Sequence, residues 1–96
     1  MKSLLSNEKR CYMCGSHQWI EVHHIFFGRG LKKVCDEYGM TVPLCHYCHN
    51  EPPNGVHQNK ENRRALQEQA QKIAMAHYGW SIEDFRSHFG KNFIRR

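Results

Sequence analysis

The chain has 96 residues, of which 40% are hydrophobic and 24% charged, and 14 Lys+Arg against 9 Asp+Glu give it a formal charge of +5. That length excludes more than one domain and leaves a core too small to hold without an internal staple. No run approaches the roughly 18 apolar residues of a membrane span, and the N-terminal stretch lacks a signal peptide's apolar centre, so a cytoplasmic, reducing setting is expected in which the five cysteines favour metal over disulfides.

Residues 1–10 are polar and basic and read as a loosely held arm. Residues 11–15 form a tight turn around Cys11-Tyr12-Met13-Cys14. Residues 19–25 are β-branched and aromatic and predict a strand. Gly28 and Gly30 break it. Residues 31–38 read as a loop or a short helical turn, ended by Gly39. A second strand covers 40–44, with Pro43 near its end or on an edge. A helix begins at 46–50 and is interrupted by Pro52-Pro53-Asn54-Gly55. A long helix spans 59–78, with Leu66, Ala70, Ile73 and His77 on its apolar face and Gly79 as its C-cap. Ser81 and Asp84 predict a capping box that opens a short helix carrying Ile82, Phe85 and Phe89. Trp80, Phe93 and Ile94 add apolar cover. The fold class expected is α+β: a small zinc-stapled core over 11–57, then a helical extension over 58–96.

The strongest motif is the pair of Cys-x2-Cys turns, Cys11/Cys14 and Cys45/Cys48. Two residues between cysteines let one turn aim both sulfurs at one ion, and two such turns complete a tetrahedron. Four thiolates leave no open position, so this zinc is expected to be structural and coupled to folding. A Cys3His variant using His17, His46 or His49 is the less economical alternative. Cys35 has no such partner and is expected as a free thiol.

Between the turns stands Glu21-Val22-His23-His24-Ile25, and after the second come His49 and Asn50. Neighbours on an ideal strand face opposite ways, so His23 and His24 share a site only where the strand ends irregularly. From the dipeptide alone, one buried and one exposed histidine is the simpler reading. The order of the elements is more specific. A Cys-x2-Cys turn, His-His on a first strand, and Leu44-Cys45-His46-Tyr47-Cys48-His49 opening a helix resemble the HNH endonuclease family, whose fold is the ββα-metal finger. Within it, the chain looks most like the short stand-alone HNH proteins of phages and prophages.

The resemblance covers roughly residues 11–57 and implies a role for each matching position. His23 matches the first ligand of a catalytic divalent metal, His49 the ligand at the helix start, and His24 the general base. A family asparagine that orients the base through its backbone falls at Met40 here, so another carbonyl is expected to serve. A further ligand usually follows on the helix; Pro52-Pro53 disrupts that spacing and leaves His57 as the nearest candidate, for metal or for phosphate. The implied reaction is hydrolysis of DNA phosphodiester bonds to 5′-phosphate and 3′-hydroxyl ends. The metal is Mg2+, Mn2+, Ni2+ or Zn2+, with imidazoles leaning toward the transition metals.

Arg29 in the glycine loop is a candidate phosphate clamp. Lys32, Lys33, Lys60, Arg63 and Arg64 could track a phosphate backbone, although solvated basic faces are common. DNA is thus the partner expected, with a homodimer one role for the C-terminal aromatics. The competing readings are a non-catalytic zinc-binding nucleic-acid-binding or adaptor module, and an RNA-directed nuclease.

Overall fold

A computed structural model describes residues 2–95. Among them are two strands and four helices: β1 (Ile20–His24), α1 (Leu31–Tyr38), β2 (Thr41–Cys45), α2 (His46–Asn50), α3 (Lys60–Tyr78) and α4 (Ile82–Phe89). The protein is a small α+β unit. β1 and β2 pair antiparallel from Ile20↔Cys45 to His24↔Thr41. The Ile25 N–H bonds to Met40 O at 3.0 Å and the His46 N–H to Trp19 O at 2.9 Å, extending the ladder at both ends. Met40, fully buried, is therefore a core residue of the hairpin.

Segment 31–38, open between loop and turn from sequence, is a two-turn helix. It runs between Gly30 (φ 78°) and Gly39 (φ 75°), both left-handed, where glycine alone is unstrained. Gly39 has a second reason to lack a side chain: a Cβ there would lie 2.7 Å from Lys2 O. The arm expected to be loose is docked at this point. The Leu4 N–H bonds to Gly39 O at 2.9 Å, the Ser3 hydroxyl donates to Thr41 O, and Leu4 and Leu5 pack on the core. Two leucines in a polar stretch supply the apolar area that holds it.

The core gathers Ile25, Phe26, Met40, Val42 and Leu44 from the hairpin, Leu66, Ala70 and Ala74 from α3, and Phe85 and Phe89 from α4. Phe26 joins the two halves, with ring centroids 5.2 Å from Phe85, 4.9 Å from Phe89 and 4.7 Å from Phe93. The local signals at the helix ends hold: Gly79 caps α3 at φ 68°, and Ser81 and Asp84 form the capping box of α4.

The buried face of α3 is rotated from the expected one. It carries Leu66, Gln67, Ala70, Gln71 and Ala74, while Ile73 is half-buried and His77 exposed. Two amides lie on this face because each has partners. The Gln67 side chain donates to Ile25 O at 3.2 Å. Gln71 is completely buried; its amide donates to Asn92 Oδ1 at 2.7 Å and accepts from the Phe93 N–H at 2.7 Å. It clasps the C-terminal segment onto α3. Gln71→Ala strands the Phe93 N–H and should cost about 2 kcal/mol, lowering the melting temperature by about 10 °C. Thermal denaturation followed by circular dichroism checks this; an unchanged melt would mean the clasp is idle. Among the described residues, no helix is long and apolar enough to cross a membrane.

Candidate metal centres

The first Cys-x2-Cys turn is shaped by its own backbone. The Gly15 N–H reaches Cys11 O at 2.9 Å and the Cys11 N–H reaches Ser16 O at 2.7 Å. Tyr12 N–H to Pro43 O, 2.8 Å, fastens the turn to β2. The second pair lies where β2 becomes α2: Cys45 is the N-cap, and Cys48 follows one turn later. The four sulfurs come within 4.8 Å of one another, and Cys14 and Cys45 stand 3.7 Å apart. A tetrahedron with Zn–S bonds of about 2.3 Å has edges of about 3.8 Å. The cluster is thus compatible with a structural zinc site.

Electrostatics agrees with the geometry. Burial works to raise the Cys11 thiol, but the backbone amides of Cys45, Cys14 and Met13 outweigh it and bring it down to about 6. Burial and the three neighbouring sulfurs push Cys48 far upward. One thiolate is favoured and the next resisted, so four together call for a cation between them. Cys35 stands apart: it is buried, donates to Phe26 O at 3.1 Å, and is pushed by burial to about 11. Of the histidines in the Cys3His alternative, His17 is exposed and His46 is bridged between Glu21 and Glu51.

A second cluster joins His23, His49 and His57, one ring nitrogen of each lying within 4.8 Å of the others. Three elements deliver them. His23 is opposite Val42 in the ladder, on the buried face of β1. His49 comes from α2. His57 comes from the segment after Pro52-Pro53, which folds back so that the Val56 N–H reaches Cys48 O at 2.8 Å and the His57 N–H reaches His49 O at 3.1 Å. Gly55 makes the reversal tight enough, since a Cβ there would meet Glu51 O at 2.5 Å. The segment that disrupts the usual ligand spacing returns the chain to α2 and brings His57, the nearest candidate, to His49. His49 Nε2 and His57 Nε2 then face each other at 3.1 Å.

The other edge of His49 is held by Glu21. Its Oε1 lies 2.7 Å from His49 Nδ1, and its Oε2 lies 3.2 Å from His46 Nδ1. The hydrogen bond from His49, ahead of that from His46, keeps the Glu21 carboxyl below its ordinary value. A carboxylate on Nδ1 fixes the tautomer that leaves a lone pair on Nε2, as around metal-ligating histidines generally. Burial, then the neighbouring His49, His57 and His24, push His23 down to about 3. Burial, then His49 and Arg63, also lower His57. Three imidazoles converging in this way form a donor set that fits a divalent transition metal, and three ligands leave a position open.

His24 lies at the end of β1, on the opposite face from His23, yet both line one cleft of about 270 Å³ together with Phe27, His49 and His57. His24 Nε2 is 2.8 Å from Asp36 Oδ1 of α1. A carboxylate, not the carbonyl expected, therefore orients this ring, and Nδ1 has no protein partner among the described residues.

The basic candidates divide. Lys32 lines the cleft, whereas Arg29 and Lys33 are exposed and outside its lining. Arg63 stands over the Phe27 ring at 6.0 Å and donates to Val56 O at 3.3 Å. Arg64 faces an adjoining groove with Lys60 and Arg63. Glu21, Asp36 and Phe27 were not singled out from sequence. Glu21 was accessible to such a reading, being two residues from His23 and so on the same strand face. Asp36 was not, because only tertiary packing brings α1 to β1.

Compared with protein-family models, curated proteins and solved structures, the chain has no match in any of the three. The likeness to the HNH pattern rests on its own residues.

Proposed function

We propose that the protein is a metal-dependent endonuclease of HNH type that hydrolyses phosphodiester bonds in DNA in a bacterial or phage-infected cell. One observation carries the reading: a histidine oriented by a carboxylate, His24 with Asp36, opens on the same cleft as three converging imidazoles. His23, His49 and His57 would hold the divalent ion, and Glu21 keeps His49 in the ligating tautomer. When bound, such an ion supplies Lewis-acid stabilisation of phosphate charge. His24 takes a proton from the attacking water at Nδ1. Asp36 accepts the Nε2 hydrogen, holding the ring and stabilising the imidazolium as it forms. Lys32, which lines the cleft, and Arg63, over the Phe27 ring, would offset phosphate charge.

The four-cysteine cluster alone would equally suit a non-catalytic zinc module, so metal counting separates the two readings. Two classes are expected: one zinc that survives dilute chelator and one exchangeable ion, with His49→Ala removing only the second. Native mass spectrometry reads both, and plasmid and RNA cleavage with Mg2+, Mn2+, Ni2+ and Zn2+ reads activity. A single metal unaffected by His49→Ala, together with no cleavage, would leave the adaptor reading.

A further inference from the structure

Beside the metal cleft lies a larger groove of about 890 Å³. The first turns of α3 form one wall with Lys60, Arg63 and Arg64, and segment 90–95 forms the other with Lys91 and Arg95. Among the described residues, no acidic one lines it. Arg95 is paired with Glu61 at 3.3 Å and Glu68 at 3.6 Å, but Lys60, Arg64 and Lys91 have no ion pair among the described residues. Uncompensated like charges in a concave surface raise its potential and gather counter-ions. Here the two walls are held together, since the buried Gln71 ties Asn92 and Phe93 to α3.

The groove and the cleft adjoin at one shared residue. Phe27, half-exposed, lines both, and Arg63 reaches over its ring from the groove at 6.0 Å. We infer that this groove is a phosphate-binding track that receives the nucleic-acid backbone running on from the metal cleft, with Lys60, Arg64 and Lys91, the last standing 5.1 Å from the Phe93 ring, as its contact cations. The inference rests on the phosphodiester reading of the cleft for its choice of polyanion. A single small anion would meet only part of the wall, whereas a backbone presents phosphates along both α3 and the C-terminal segment.

The test is binding, not cleavage. The zinc-loaded full chain, carrying His24→Ala to protect the probe, is titrated by fluorescence anisotropy with a short duplex and with its single strand, between about 50 and 200 mM salt. Arg64→Ala with Lys91→Ala should weaken binding about tenfold and flatten the log–log salt slope by about 2 for duplex, each lost phosphate contact being worth about 0.9. The charge-matched pair Lys72→Ala with Arg86→Ala, outside the groove, should leave the slope unchanged. Equal slopes for wild type and the groove pair, or equal losses in both pairs, overturn the inference. Binding lost with the groove pair in a protein that never cuts supports the track and sinks the nuclease reading. Cleavage by a protein whose slope ignores the groove pair does the reverse.

Discussion

Replacing Cys11 with serine, or removing metal with a strong chelator, should unfold the protein. The four cysteines tie the turn at 11–16, the end of β2 and the start of α2 to one point. Zinc held by such a set contributes about 10–16 kcal/mol at neutral pH, against the roughly 5–15 kcal/mol by which a whole domain is stable. No other staple is present among the described residues, since all five cysteines are free thiols. Loss of the ion also leaves four crowded sulfurs, with Cys48 already resisting ionisation. Far-UV circular dichroism with stoichiometric chelator should show loss of helix, reversed by zinc. Cys35→Ala is the control: it removes a buried thiol outside the cluster and should cost about 1–2 kcal/mol with the fold retained. A melt indifferent to chelator would remove zinc from the account of this fold.

His24→Ala should lower cleavage by about 10²–10⁴, the range for loss of a general base, while the protein stays folded. The fold should be spared because Asp36 is exposed and His24 only half-buried, and ion pairs open to solvent contribute little to stability. Asp36→Asn asks a finer question. The amide preserves shape but can donate to Nε2, which favours the tautomer protonated on Nδ1 and so occupies the nitrogen meant to accept the proton. The expected loss is about tenfold to a hundredfold in kcat with KM little changed, milder than at a buried triad because this carboxylate is screened by solvent. Asp36→Glu should recover part of it. Equal cleavage by wild type and His24→Ala would show that the base has been misassigned.

The cysteine framework was legible because its signal is local: two residues between sulfurs determine where both point, whatever the rest of the chain does. The caps at Gly79 and Ser81-Asp84 were legible for the same reason. Helical periodicity was less reliable. Leu66 and Ala70 are buried as expected, but His77 is not, and the pattern could not reveal that Gln67 and Gln71 are buried amides. Their burial depends on acceptors and donors at Ile25, Asn92 and Phe93, remote along the chain.

The candidate site divides along the same line. Residue order alone placed His23 and His24 on one strand and His49 on the following helix, because strand and helix are written in short-range pattern. Their convergence with His57 depends on how the proline-broken segment folds back over α2, with Gly55 in close backbone contact. The orientation of His24 depends on α1 crossing to the end of β1, which brings Asp36 within hydrogen-bonding distance across the hairpin. Local chemistry thus specified the cysteine cluster and named the candidate imidazoles, and strand spacing put Glu21 within reach of such a reading. Asp36, the seating of His57 and the basic groove come from contacts between elements, which single-chain periodicity does not encode.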